Sequence, residues 1–403
     1  MTIKLNLMKL IILFAIIHLL LGSNASAQWT AVNNGLNNWY VVPLSVSGVN
    51  IFAGTNGGGV FLSTDNGSSW TSVNNGLNHL DVFSLATNGT NIFAGTCGGG
   101  VFFSSDNGSS WTAVNNGLTH LKIYSLAIKG SDVFAGTIEG GVFLSSNNGK
   151  SWTPVNDGIT NYDILSIFVN GSDIFVGTNG GGVFLSTNNG NSWIAVNNGL
   201  TNNYVSSFAV YGTNLYLGTE GGGVFLSTNN GNTWKAVNNG LTNNSITSLA
   251  ISGTAILAST VGGVFLSTNN GDSWVEINTG FISKFIWSLA TKGSIIFAGV
   301  YGGGVYINES TVISNSSSEK ENSGFSFYPN PFTFSTTLKT NNYFKNAHLT
   351  LLNSSGQIVK EIDNISGQSV TLQRHNLSSG LYFYRITEEN KTILMDKLII
   401  VDN

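Results

Sequence analysis

Arginine is missing from the first 373 residues of this 403-residue chain; the two it has are Arg374 and Arg385. Charged residues of every kind amount to only 9%. Between residues 28 and 308, six lysines (122, 129, 150, 235, 284 and 292) face eleven acids, leaving that stretch five charges on the negative side. A surface this poor in cations cannot neutralise a run of phosphates, which excludes a nucleic-acid partner. Cysteine is nearly absent too. Cys97 stands alone, so no disulfide forms within the chain, and a core built from about 280 residues does not need one. It reads as a buried or loop thiol rather than a nucleophile, with no histidine in its own corner of the repeat. Long apolar runs are the third absence. Leu10 to Leu21, broken only by His18, falls short of the ~20 residues that span a bilayer. With Lys4 and Lys9 ahead of it and Ala25-Ser26-Ala27 behind, it has the form of a secretory signal peptide, residues 1–27, with the mature chain starting at Gln28. No cysteine follows to carry a lipid, and no transmembrane segment is expected after cleavage.

What the chain does have is an octet that returns. Ser63-Thr64-Asp65-Asn66-Gly67-Ser68-Ser69-Trp70 recurs as Ser104 to Trp111, Ser145 to Trp152, Ser186 to Trp193, Ser227 to Trp234 and Ser267 to Trp274, and Trp29 stands alone before the first copy. The tryptophans are 41 residues apart, the last pair 40. A period near 40 in a β-rich chain means one supersecondary unit per period, as in a propeller. Asp65 and Asp106 are Asn147, Asn188, Asn229 and Asn269 in the other copies. A role that needs negative charge would not survive that exchange, whereas a side-chain acceptor closing an Asx-turn on backbone N–H groups two or three residues on would. The glycine two residues later supplies positive φ, and the tryptophan opens the next strand with an N–H free to find a backbone partner.

The second copy shows the unit: strands Val82 to Thr87, Asn91 to Thr96, Val101 to Ser104 and Trp111 to Val114, bounded by Gly, Asn and Ser clusters. A glycine-rich corner precedes each third strand, from Gly57-Gly58-Gly59 to Gly302-Gly303-Gly304, seven times in all. No helix follows these corners and no Lys-Ser/Thr ends them, so they are not phosphate loops. The seventh unit has three strands (Ile286 to Thr291, Ile295 to Gly299, Val305 to Ile307) and no octet, while Trp29 to Val32 is an orphan fourth strand. Joining the two completes seven blades and removes both sheet edges. The expectation is therefore an all-β chain: a seven-bladed β-propeller closed by its N-terminal strand over residues 28–308.

The octet resembles the Asp-box (BNR) repeat, S-x-D-x-G-x-x-W, of sialidases, sortilin-like receptors and photosystem II assembly factor-like propellers. In that resemblance Asp65, Trp70, Asp106, Trp111, Asn147, Trp152, Asn188, Trp193, Asn229, Trp234, Asn269 and Trp274 are structural box residues. The sialidase mechanism that the family implies needs an arginine trio, which residues 28–308 lack.

Residues 309–324 are polar and aperiodic, a linker. Residues 325–403 then alternate through His348 to Asn353, Gln357 to Ile362, Ser369 to Leu372, Leu381 to Ile386 and Ile393 to Val401, the pattern of a small C-terminal β-sandwich. Tyr328-Pro329-Asn330-Pro331-Phe332, Asn376-Leu377-Ser378-Ser379-Gly380-Leu381-Tyr382 and Lys397-Leu398-Ile399-Ile400 resemble the type A C-terminal sorting domain of the type IX secretion system. That resemblance implies a Bacteroidota cell, passage through the outer membrane with the secretion machinery as partner, removal of the domain, and release or attachment to surface lipopolysaccharide.

The copies differ from one another on one face, in the loops between blades and in the glycine corners. There the candidates are Trp39, Tyr40, His79, Asp81, His120, Tyr162, Asp163 and Tyr204 in the loops, with Glu139, Glu220 and Tyr301 in the corners. Aromatics, amides and acids suit a glycan or protein ligand, and variation within a regular scaffold is where binding resides. Asp81, Asp163, Glu139 and Glu220 are the acids a glycoside hydrolase would use in pairs. His79 and His120, one period apart beside Asp81, have the donor types of a metal site, but duplication of a repeat explains their match, and neither a metal nor a cofactor is assigned. The chain is read as a monomeric, secreted or surface-bound, non-enzymatic binding module, with a carbohydrate-active hydrolase as the alternative.

Overall fold

The structure is a computed structural model that describes residues 29–309, 325–328, 332–353, 357–388 and 391–401. The expected signal peptide and residues 310–324 of the expected linker lie outside the described residues, as do Pro329, Asn330 and Pro331. The chain separates into two compact units, dividing between Ser317 and Ser318. Among the described residues every regular element is a β-strand.

The first unit comprises seven four-stranded antiparallel sheets. Blade 3 shows how sequence makes each one. Its innermost strand, Ile123–Lys129, turns through Gly130 (φ +60°) into Asp132–Thr137, which pairs with Gly141–Ser145 and then Thr153–Pro154. The second strand is buried from Val133 to Thr137, on both faces, because the blades on either side cover it. Apolar clusters accordingly mix two blades: Phe52 and Val60 pack with Val82, Ile92, Phe102 and Trp111 of the next sheet. Each innermost strand touches the next around the ring, and Ile286–Lys292 touches Val41–Ser47. The seventh sheet runs Ile286–Lys292, Ile295–Val300, Gly304–Asn308 and Thr30–Ala31, with Thr30 opposite Ile307 and Ala31 opposite Tyr306. This is a multi-bladed β-propeller.

The outermost strands are shorter than the sequence pattern suggests: Thr112–Ala113 instead of Trp111 to Val114. The tryptophan is drawn toward its neighbour. Trp111 donates its backbone N–H to Asn75 O at 2.8 Å and its indole N–H to Val73 O at 2.7 Å, both in the preceding blade. The other indoles do likewise: Trp70 to Val32, Trp152 to Val114, Trp193 to Val155, Trp234 to Val196, Trp274 to Val237 and Trp29 to Ile277. On the far side of this contact a glycine is obligatory. A Cβ on Gly158 (φ +89°) would stand 2.1 Å from Trp193 O, and Gly35, Gly76, Gly117, Gly199, Gly240 and Gly280 meet the same obstacle.

The octet is a closed turn of hydrogen bonds. Ser63 Oγ donates to Asp65 Oδ1 and accepts the Gly67 N–H, both at 2.8 Å. Asp65 Oδ1 accepts the Ser69 N–H at 2.9 Å and Oδ2 the Ser69 hydroxyl at 2.6 Å. The acceptor thus reaches four residues on, not two or three, because Asn66 (φ 58°) and Gly67 (φ 89°) are both left-handed and fold the chain back further than a single Asx-turn would. These donors hold the Asp65 carboxyl below its ordinary 3.8, the Ser69 hydroxyl foremost. Asn147 keeps the geometry: Oδ1 accepts the Ser151 N–H, and Nδ2 donates to Ser151 Oγ at 2.8 Å with the hydroxyl reversed.

The second unit is one hydrogen-bonded sheet of five strands, Phe325–Tyr328, Ser335–Asn353, Ile358–Gln373, Gly380–Glu388 and Lys391–Ile400. The separate expected strands Gln357 to Ile362 and Ser369 to Leu372 are a single element, interrupted in register where it pairs with the long Ser335–Asn353 strand. One half of that strand pairs with Phe325–Tyr328 and the other with Gly380–Glu388, so two layers of a sandwich are not separate sheets here. Phe327, Phe332, Phe344, Leu349, Tyr384 and Leu398 share its core. The Asn376 to Tyr382 motif is a turn: Tyr382 donates its hydroxyl to Ser378 O at 2.8 Å, and Arg374 Nε donates to Leu377 O at 2.9 Å.

Two glycines of like backbone test the blade contact. Gly171→Ala (φ +60°, nothing within 4 Å of its Cβ) is expected to cost about 1–2 kcal/mol for the left-handed backbone alone. Gly158→Ala, which must also displace Trp193 O, should cost roughly twice that or more in denaturant melts.

Candidate binding face

Two pieces of each repeat build one face: the loop that leads into a blade (36–40 in blade 1) and the glycine corner between its second and third strands (56–59). Backbone hydrogen bonds lock the leading loops of blades 1 to 6 to the corner of the blade before each. Leu80 O accepts from Gly57 N and Gly59 N, Leu121 O from Gly98 N and Gly100 N, Tyr162 O from Gly141 N, and Trp39 O from Gly304 N. Side chains at this position therefore project from fixed backbone. In blades 1 to 4 they are Trp39, Leu80, Leu121 and Tyr162, exposed by 50, 38, 38 and 48%; in blades 5 to 7 they are Asn203, Asn244 and Lys284. At this one position the ring is thus apolar over blades 1 to 4 and polar over blades 5 to 7.

The corner glycines have a cause that the sequence pattern did not reveal. Asn74 Oδ1 accepts the Val60 N–H at 2.7 Å and its Nδ2 donates to Gly58 O at 2.8 Å, clamping the corner from fourteen residues away. Its amide fills the place where a Cβ on Gly59 would stand, at 2.3 Å.

A second amide explains the histidines. Asn38, Asn161 and Asn202 accept the N–H of Tyr40, Asp163 and Tyr204, and donate to the carbonyls of Asn56, Asn179 and Glu220. His79 and His120 occupy the same place in blades 2 and 3, their rings lying over Gly99 and Gly140. The corner that follows Cys97 therefore does hold a histidine, contrary to the expectation from sequence, because the leading loop folds over it. Among the described residues no three His, Cys, Asp or Glu side chains are gathered as metal ligands.

The acids are dispersed except for one pair of neighbours. Asp163 Oδ1 accepts the Glu139 N–H at 2.8 Å, holding an exposed glutamate at φ 69° where five of the other six corners have glycine. Asp81 is half-buried and accepts the Cys97 N–H through its carbonyl, while Glu220 donates its backbone N–H to Tyr204 O. Tyr204, 47% exposed, flanks Gly180.

Aromatic side chains converge where blade 7 meets blade 1. Tyr40 stands edge-on to Tyr301 at 4.9 Å between centroids, Tyr301 lies 5.3 Å from Phe285 and 6.0 Å from Trp287, and Phe285 lies 5.4 Å from Trp287. The Trp39 indole is fixed by its N–H to Leu36 O at 3.0 Å. Trp287 did not emerge from the sequence reading, although a signal existed: of nine tryptophans, it and Trp39 alone break the 41-residue rhythm.

Residues 326–401 match the secretion system C-terminal sorting domain family. The chain therefore carries a type IX sorting domain behind a propeller and is exported to the cell surface or released. No curated protein matches the chain. Several solved structures share the fold. PorZ, a surface component of the type IX secretion system of Porphyromonas gingivalis, matches with a TM-score of 0.57 and 16% identity over 91% of this chain. A GH74 enzyme of Niastella koreensis gives 0.52 and 20% over 67%, and YCF48 of Cyanidioschyzon merolae 0.55 and 15% over 70%; YCF48 is also known bound to D1 peptide. The chain spans 60% of PorZ, 43% of the GH74 enzyme and 98% of YCF48. At these identities the likeness is one of fold.

Asp163 tests whether its carboxylate serves the loop. Asp163→Asn keeps an acceptor for Glu139 N–H and should melt within a few tenths of a kcal/mol of the parent, whereas Asp163→Ala should lose about 1 kcal/mol.

Proposed function

We propose that the propeller is a non-enzymatic binding module that takes an extracellular glycan on its loop face. In this reading the chain comprises a signal peptide (1–27), an Asp-box propeller (28–308) closed by its N-terminal strand, a linker (309–324) and a sorting domain (325–403) that engages the type IX machinery. The propeller acts as a monomer. The observation that carries the reading is the set of half-exposed aromatic side chains, Trp39, Tyr40, Tyr162, Tyr204 and Tyr301, on loops whose backbones are pinned by hydrogen bonds. Preorganised aromatic surface beside neutral amides recognises polyhydroxylated ligands with little ordering cost. His79, His120, Asp81, Glu139 and Glu220 form its rim.

Two other readings have support. Exposed Leu80 and Leu121 continue the apolar arc and would suit a protein partner, and a propeller of the same fold is known with a peptide bound. A hydrolase is the enzymatic alternative, since a glycoside hydrolase also shares the fold. Its acids would be Asp81, Asp163, Glu139 and Glu220, of which Asp163 is already engaged by a backbone N–H.

A broad glycan array, probed with the full chain and read for both retention and product release, separates these readings. Retention without turnover, lost on Trp39→Ala or Tyr162→Ala, is expected. Product release abolished by Asp81→Asn or Asp163→Asn would establish the hydrolase instead, and silence throughout would favour a protein ligand.

A further inference from the structure

The seven corners are not finished alike. In six blades a side chain of the leading loop covers the middle glycine: Asn38 over Gly58, His79 over Gly99, His120 over Gly140, Asn161 over Gly181, Asn202 over Gly222 and Asn243 over Gly262. Blade 7 has Ser283 at that place, and the nearest neighbours of Gly303 are Val300 and Tyr306 of its own sheet. Here the face has an open cavity of about 270 Å³, lined by Asn37, Asn38, Trp39, Tyr40 and Gly302. It is smaller than the ~300–1,000 Å³ of sites for drug-sized ligands, so it suits a single ring.

Resting on the glycan-binding reading above, we infer that this seam between blades 7 and 1 is a subsite for one neutral pyranose residue, with Trp39 as its stacking platform and Asn37 as its hydrogen-bonding amide. Three observations select that chemistry. The Trp39 N–H is committed to Leu36 O, so the half-exposed indole offers apolar ring surface in a fixed orientation, matched to the C–H face of a sugar. Asn37 is exposed and its side chain has no hydrogen-bond partner among the described residues, which leaves both a donor and an acceptor for hydroxyl groups. No lining residue carries a formal charge, and Lys284 on the adjoining loop is held by Glu276 at 2.9 Å, so a phosphate or carboxylate would find no free counter-charge. Backbone groups at the seam are already paired, Gly304 N with Trp39 O and Asn56 N with Tyr40 O, which disfavours a peptide docking by main-chain pairing. Tyr40, edge-on to Tyr301, which in turn packs on Phe285 and Trp287, forms the wall.

The test is calorimetric titration of the full chain with neutral hexasaccharides of glucose, mannose, galactose and xylose. At least one should bind, with affinity falling tenfold or more in Trp39→Ala and about threefold in Asn37→Ala, and with no change in Ile194→Ala on the far edge of blade 4. Trp39→Ala should melt with the parent protein, since its ring is half exposed. Wild-type affinity in Trp39→Ala alongside loss in Tyr162→Ala would overturn the subsite while leaving glycan binding by the face intact. Failure of every neutral hexasaccharide, or binding of peptides alone, would overturn the subsite and the glycan reading together.

Discussion

One hydrogen bond, made seven times, organises the propeller: an indole N–H of one blade to a main-chain carbonyl of the blade before it. Each such bond is worth only about 1 kcal/mol net, but a buried carbonyl left without its donor costs ~1–3 kcal/mol. The contact also fixes its surroundings. The tryptophan carbonyl bears directly on a left-handed glycine of the preceding blade, so that blade's turn has one backbone path and no room for a side chain. Trp and Gly thus depend on one another across two blades, and both recur at every blade junction.

The opposite face has no such constraint on its side chains. In six blades its backbone is fixed by corner amides bonded to the leading-loop carbonyls, whereas the side chains of Trp39, Leu80, Leu121, Tyr162, Asn203 and Asn244 project from the surface. A rigid frame with free positions can be polar in one arc and apolar in another without loss of fold, which is how one scaffold acquires a directional binding surface.

Much of this was legible in the sequence because it is periodic. The 41-residue spacing, the Asp-to-Asn exchange and the glycine corners follow from local backbone geometry that a repeat displays again and again. What escaped depends on contacts between distant residues. The corner glycines answer to Asn74 and its counterparts across a strand pair, the box side chain reaches four residues on because two left-handed residues precede its target, and the outer strands shorten because tryptophan is drawn to its neighbour. The site was half visible. Trp39, Tyr40 and Tyr301 stood out as departures from the repeat, but the seam that gathers them with Trp287 exists only once the ring brings blade 7 against blade 1. In the C-terminal unit, the apolar alternation located the strands, but not the joining of two of them into Ile358–Gln373.

The proposed closure of the ring by the N-terminal strand rests on Trp29, whose indole bonds Ile277 O, and on the following residues, which pair with Gly304–Asn308. Hydrogen exchange on the full chain carrying Trp29→Ala tests it most directly. The account predicts that amides of Gly304–Asn308 and Ile295–Val300 lose protection first, with a lowered unfolding temperature. Unchanged protection in both strands, with wild-type melting, would contradict it.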